Sequence, residues 1–475
     1  MTPTTPRRSG DGTHSDRRES CHLDYRELGS WMYAFASELF PICRSITGNG
    51  LRATLRRIQR EIPITIHEVL TGTPVLDWTI PDEWNVRDAW ISNSRGERVV
   101  DFRVNNLHVV NYSAPIRARM SLRQLRPYLH TLPEYPECIP YRTSYYKRTW
   151  GFCLSHHQLQ QLEDGEYDVC IDSTLAPGAL SYGELLIRGE SEDEFLISVH
   201  CCHPSLANDN LSGTAVAVAL ARAFGSQPSP LPSSGPSPLH HSYRFLFIPG
   251  TIGAITWLAR NGDKVARIKA GLVLACAGDS GSVTYKKSRD GNALIDSAMQ
   301  QVLGKSGESH RVLDFVPYGY DERQYCSPGF NLPIGCFMRS QNGTFPEYHT
   351  SADNMNFIKA EALADSLKKL LCVIDVIEDG SVKLDLKGSA IPSSRLISHA
   401  SRYVNLKPKG EPHLGKYGLY EAFGGDVMPA LWVLSFSDGT HSLSEISAKS
   451  SLPVHQLARV ADILCARGLV KEVGP

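Results

Sequence analysis

Apolar residues recur along this chain with a period that changes from one stretch to the next. Leu28, Trp31, Met32, Phe35 and Leu39 share one face at helical spacing, as do Leu51, Leu55 and Ile58, which predicts two amphipathic helices between about 24 and 60. Between about 70 and 185 the pattern shortens to β-type runs at 88–91, 99–102, 107–110 and 167–171, broken by Pro, Gly, Asn and Asp. Trp78, Trp84, Trp90, Tyr141, Tyr145, Tyr146 and Trp150 concentrate there, which predicts a β-rich insert over 70–184. From about 185 to 380, strands of buried type (185–187, 195–199, 243–248, 271–275, 334–338) alternate with helical stretches (214–224, 252–260, 293–303, 361–377). That alternation predicts an α/β unit, a mostly parallel sheet with helices on both faces, drawn from 24–69 and 185–385. Over 390–475 the order is turn, short helix (442–450), longer helix (453–468) and terminal strand, which is the order of a winged helix.

Two stretches lack such periodicity. Residues 1–23 carry arginines with no apolar run behind them and read as a disordered tail rather than a secretory signal. The Pro/Ser/Gly-rich piece 225–242 reads as a flexible surface loop. A length of 475 residues implies two or three domains. The formal net charge of −1 provides no field to recruit nucleic acid. The longer winged-helix segment offers His455, Arg459 and Arg467 against Asp462, so a packing or protein-contact role suits it better than DNA reading. No run approaches the ~18 apolar residues of a membrane span. The twelve cysteines are scattered, and Cys276, Cys336, Cys372 and Cys465 sit in apolar runs as small hydrophobes. A reducing, cytoplasmic compartment follows as an expectation. The run Lys286-Lys287-Ser288-Arg289 reads as solvated surface.

The chemistry concentrates at 195–213, FLISVHCCHPSLANDNLSG. An apolar strand breaks into His200 and His203, then Asp209 between two asparagines, then a Ser-Gly turn into an Ala/Val-rich helix. Imidazoles and a carboxylate delivered at a strand's C-terminal end form the donor set of a zinc-like divalent cation. The competing reading, a hydrogen-bonded structural histidine, is about equally weighted on this stretch alone. Further strand ends carry Pro249-Gly250-Thr251-Ile252-Gly253, Gly278-Asp279, and the string from Phe345 to Asp353, with a loop Asp321-Glu322-Arg323-Gln324-Tyr325 before the last strand. In an open sheet these ends converge on one crevice.

The Asn-Asp-Asn-x-Ser-Gly string at 208–213 and the His-Thr-Ser-x-Asp string at 349–353 resemble the zinc aminopeptidase fold of the M28 type, which implies a mixed sheet flanked by helices. The longer strings Cys-His-Pro-Ser-Leu-Ala-Asn-Asp-Asn-Leu-Ser-Gly and Asp-Glu-Arg-Gln-Tyr-Cys-Ser-Pro-Gly resemble a bacterial subgroup, the DUF4910 aminopeptidase-like proteins, from residue 24 onward. Those carry an inserted DUF2172 β domain and a C-terminal winged helix and are sometimes linked to polysaccharide biosynthesis. The resemblance implies a two-metal site. Asp209 would bridge, His203 (or His200, which spacing leaves open) and Asp279 would complete one metal, and His349 would hold the other. Asp353 would orient His349.

One departure matters. Where the subgroup carries Pro-Glu-Thr-Ile-Gly, this chain has Pro249-Gly250-Thr251-Ile252-Gly253. Glycine cannot move a proton, and threonine is a poor substitute for a carboxylate ligand. One tightly bound zinc and a weak or empty second position are therefore expected. Loss of a general base typically costs about 10²–10⁴ in rate. Glu322 and Glu347, with Asp321 beside them, are the candidate substitute bases. Asp321, Arg323, Arg142 and Tyr145 are the candidate substrate contacts. The leading expectation is a metal-dependent hydrolase of aminopeptidase type acting on a small peptide or amide, with no membrane partner and the oligomeric state open. The alternative is a catalytically inactive binding or scaffold protein on the same fold.

Overall fold

The computed structural model describes residues 24–225, 239–380, 382 and 401–473. The expected tail, most of the Pro/Ser/Gly-rich segment and the boundary near 390 lie outside the described residues. The centre is an eight-stranded sheet. Its strands are β1 Thr65–Leu70, β2 Ala179–Ile187, β3 Glu194–His200, β4 Ser242–Ile248, β5 Ile268–Leu274, β6 Val283–Lys286, β7 His310–Leu313 and β8 Ile334–Met338. They lie in the order β1-β2-β4-β3-β5-β8-β6-β7. The middle run β4-β3-β5-β8 is parallel, as strands buried along their whole length predict. The flanks are antiparallel at β1·β2, β2·β4 and β6·β8 and parallel again at β6·β7, so the sheet is mixed, as the resemblance implies.

Helices cover both faces. Tyr25–Leu39, whose first turn is capped by the Asp24 carboxylate, packs with Gly213–Phe224 and Ala360–Glu378 in one apolar layer. Ile252–Arg260 covers the opposite face, with Trp257 fully buried. At the back of the sheet Arg244 bonds both oxygens of Glu194 (2.6 and 2.7 Å) and also Glu184, a buried ionic cluster with no periodic signature.

Between β1 and β2 the chain builds a separate four-stranded antiparallel sheet, ordered Arg98–Asp101, Glu83–Ser92, Glu166–Ala176, Ile116–Ser121. The β-type run at 107–110 is instead a short 3-10 turn, Asn106–His108. The Asn105 side chain accepts the Leu107 N–H (2.9 Å) within the turn, and His108 Nδ1 is tied to the distant Cys153 carbonyl (2.7 Å).

The C-terminal unit is a winged helix, with helices Met428–Phe436, Leu443–Ser450 and Val454–Ala466 and strands Arg402–Asn405, Asp438–Ser442 and Val470–Val473. It is fastened to the α/β unit by Arg289. That guanidinium bonds the Ser435 carbonyl (3.1 Å), Asn331 and Asp438, and lies over the Phe436 ring. The basic run read as solvated surface is therefore largely interior: Lys286 and Arg289 are buried, each against a carboxylate. All eleven described cysteines are free, and of those expected in apolar packing Cys372 is exposed. Among the described residues no helix is long and apolar enough to cross a membrane.

Candidate functional site

The parallel strands end at one edge, and four side chains meet there. β3 delivers His200 as its last residue, and His203 follows in the turn. Asp209 lies in the irregular Ala207–Ser212 turn that enters Gly213–Phe224, and His349 comes from the loop after β8. His200 Nε2 is 2.9 Å from Asp209 Oδ1, and His349 Nε2 is 2.9 Å from Oδ2. His203 Nδ1 stands 3.2 Å from the Asp209 carbonyl and 3.4 Å from Oδ2. Three imidazoles thus surround one carboxylate that is itself fully buried. Burial alone would raise the Asp209 carboxyl, but the three imidazoles outweigh it and hold the group well below the usual carboxylate range. Burial pushes His200 down, so it stays neutral near neutrality, with Asp209 only partly opposing.

The surrounding polar groups fix this geometry. The Asp353 carboxylate accepts the main-chain N–H of Asn208 (2.6 Å) and of Asp209 (2.9 Å), and burial raises it to about 7. It braces the carboxylate turn and does not orient His349. Asn210 Nδ2 donates to the Leu274 carbonyl (2.8 Å) and faces both Nδ1 and the carbonyl of His200 at 3.3 Å. Arg44, also buried, donates to the carbonyls of His203 (2.7 Å) and Leu39 (2.6 Å).

The site is walled by tyrosines. Tyr320 stacks on His200 (centroids 5.1 Å apart) and Tyr348 on His349 (4.0 Å), while Tyr141 sets its ring edge-on to both His203 (5.0 Å) and His349 (5.1 Å). None of these, nor Arg44, stands out in the sequence. An aromatic beside a ligand-type histidine, as in Tyr348-His349, is the one local signal.

Several residues singled out in the sequence lie outside the cluster. Asp279 is filled by other donors: Asn208 Nδ2 (2.8 Å), the Gly281 N–H (2.6 Å), and the Ser340 N–H (3.1 Å) and hydroxyl (2.7 Å). With its acceptor sites used, it braces Asn208 and is not brought to the three imidazoles. Glu322 is buried against Lys286. Arg323 pairs with Glu411 (2.7 Å) and reaches the Thr251 hydroxyl at 3.5 Å. Glu347 is half-buried, and its carboxylate forms no ion pair among the described residues. Arg142 is exposed, whereas the Tyr145 hydroxyl meets that of Tyr141 (3.1 Å) and Asn111 (3.3 Å). Asp321 stands beside the departure from the family string: its Oδ1 accepts the Thr251 N–H at 2.6 Å, and burial raises it to about 7.

A divalent cation fits the cluster. Tetrahedral zinc with bonds of about 2.0–2.1 Å separates its donor atoms by roughly 3.3 Å. The N···O distances of 2.9 to 3.4 Å lie within a few tenths of that, and the donor atoms of His200, His203 and Asp209 all fall within 4.8 Å of one another.

A family model described as a domain of unknown function, DUF4910, matches residues 33–380, and a winged helix-turn-helix model matches residues 401–472. A Clostridium acetobutylicum protein, named as a candidate polysaccharide biosynthesis protein with an aminopeptidase-like domain, is 47% identical over 453 residues, 94% of this chain and 97% of its own. A crystal structure of a candidate peptidase from that organism is 46% identical, with a TM-score of 0.72 over 95% of this chain and 98% of its own. The zinc aminopeptidase of Bacillus subtilis shares the fold at 15% identity, with a TM-score of 0.53 over 76% of this chain and 96% of its own.

Proposed function

The chain belongs to the DUF4910 family, and from that premise we propose that it is a metal-dependent hydrolase of aminopeptidase type, cleaving an amide or peptide bond in a small substrate. The observation that carries the reading is the convergence of three imidazoles on the buried Asp209 carboxylate at the carboxyl edge of an aminopeptidase-type sheet. His203, Asp209 and His349 would hold the cation, with His200 as the alternative to His203. A cation bound there supplies Lewis-acid polarisation of a carbonyl and acidification of water.

The chain's own residues do the rest. Asp353 and Asn210 keep Asp209 and His200 in register, and Tyr141, Tyr320 and Tyr348 pack against the imidazoles, of which His200 is buried while His349 stays open to solvent. Proton transfer falls to Asp321. Its pKa of about 7, raised by burial, suits a proton acceptor near neutrality, and its Oδ1 is held on the Thr251 N–H beside Gly250. The Arg323–Glu411 pair beside Thr251 would meet the substrate's charged end.

The test is metal content per chain in protein purified without chelator or affinity nickel. About one zinc or related ion is expected, with hydrolysis of aminoacyl anilides lost on chelation and regained with zinc. His349→Ala should weaken zinc by more than about 100-fold, since losing a group that only orients a ligand already costs about 10–100-fold. The absence of a side chain at Gly250 is the one observation favouring an inactive binding protein. No bound metal even after zinc addition would transfer the assignment to that reading.

A further inference from the structure

His349 holds its position with its backbone in the left-handed region, φ +56°, which a residue bearing a Cβ adopts only where its surroundings impose it. The imposing surroundings come from the β-rich insert, from a segment about two hundred residues away in sequence. The Tyr141 N–H donates to the His349 carbonyl at 2.7 Å. Pro140 and Thr350 form an antiparallel bridge. Ile139 and Ser351 close the ladder from both sides: the Ser351 N–H donates to the Ile139 carbonyl (2.8 Å), and the Ile139 N–H to the Ser351 hydroxyl (2.9 Å). Residues 139–141 thus run antiparallel to 349–351 through a single bridge, and the buried Tyr141 ring stands edge-on against His349 and His203 together.

We propose that Tyr141 is a positioning residue of the site, and that the insert is part of the site because it holds the third imidazole on Asp209. The proposal rests on the site reading above for its chemistry, but its geometry is independent of any bound ion. The main-chain ladder fixes the unusual backbone of His349. The Tyr141 ring then stands perpendicular against the imidazole at 5.1 Å while Tyr348 stacks on it at 4.0 Å, and the two contacts together restrict its rotation. A histidine so confined presents Nε2 to Asp209 Oδ2 before any ligand arrives. Rigid presentation of a donor saves ordering cost when a ligand binds.

The experiment uses the full chain in two arms. In metal-free protein, the His349 imidazole N–H bonded to Asp209 should give a downfield proton resonance, assigned by its absence in His349→Ala. Tyr141→Phe, which keeps the ring and the main chain, should retain that resonance. Tyr141→Ala should broaden or lose it with the far-ultraviolet circular dichroism unchanged. In the second arm cobalt(II) is titrated and its visible spectrum read: Tyr141→Ala should bind about 10–100-fold more weakly and Tyr141→Phe as wild type. If Tyr141→Ala does not fold, Ser351→Ala, which removes one rung of the ladder, should still weaken cobalt several-fold. A Tyr141→Ala protein, or failing that a Ser351→Ala protein, with the wild-type resonance and cobalt affinity would overturn the proposal. Wild-type protein that binds no cobalt would defeat the metal reading instead, and the metal-free resonance would still decide the role of Tyr141.

Discussion

Replacing Gly250 by glutamate is expected to raise the rate of aminoacyl anilide hydrolysis, by up to about 10²–10⁴ where Asp321→Asn has removed the resident proton acceptor, which is the usual worth of a positioned general base. The site has room for it. A Cβ built on Gly250 would stand 3.7 Å from His200 Cβ and 3.8 Å from Cys202 Sγ, ordinary contacts, and the glycine backbone is not in a conformation that excludes a side chain. Residue 250 is half-buried beside His200, so a longer side chain can extend toward the imidazoles without displacing core. Resemblance to the Pro-Glu-Thr-Ile-Gly string implies a carboxylate at this position, and Gly250 N–H is already anchored on Cys202 Sγ at 3.2 Å. If Asp321 acts as the resident base, the added glutamate should also flatten the loss caused by Asp321→Asn. Steady-state rates of the four proteins, each at matched metal content, would measure both effects. A Gly250→Glu protein that binds zinc as wild type and hydrolyses no amide faster would count heavily against the hydrolase reading and toward a retained binding fold.

The parts of this site that could be read from the sequence share one property: their chemistry is local. His200, His203 and Asp209 lie within ten residues at the end of an apolar strand, so residue type and strand pattern together place them. The parts that could not be read are supplied from far away. Tyr141 reaches His349 from the insert, and among the aromatics of a small β unit nothing marks one ring as belonging to a neighbour's site. Asp279 shows the reverse failure. Its residue type and its place after β5 suit a ligand, but Ser340, Gly281 and Asn208 use its oxygens, and only the fold reveals those donors. The sheet was legible in its parallel middle, where whole strands are buried, and less so at its edges, where antiparallel pairing leaves no periodic mark distinct from parallel pairing. The Lys286–Arg289 run misleads for a related reason. A charge run is solvated by default, yet both end residues find carboxylates distant in sequence, Glu322 and Asp438.

Lys286→Met is accordingly expected to be among the most damaging single changes in the α/β unit. Glu322 has no exposed side-chain surface, and among the described residues Lys286 is the one cation in contact with its carboxylate, with the Cys336 thiol as a weak neighbour. Removing the cation strands a buried carboxylate, which typically costs about 3–5 kcal/mol. The site should suffer with the fold. Lys286 Nζ also donates to the Tyr318 carbonyl at 2.7 Å, and so anchors the loop that carries Tyr320, the ring stacked on His200, and Asp321. Gly319 permits that approach: a Cβ there would lie 2.6 Å from Lys286 Nζ and 2.9 Å from Glu322 Oε1, and its φ of +137° disfavours a side chain in any case. The double change Lys286→Met with Glu322→Met separates the two effects. Replacing both charges by apolar groups of similar length should recover most of the stability, as is common for buried pairs. It cannot restore the bond to Tyr318, so catalysis and metal affinity should remain impaired. Denaturation followed by circular dichroism, beside cobalt titration of all three proteins, would read this pattern. Recovery of stability and metal affinity together would mean that the loop holds its place without Lys286, and that the ion pair serves the fold alone.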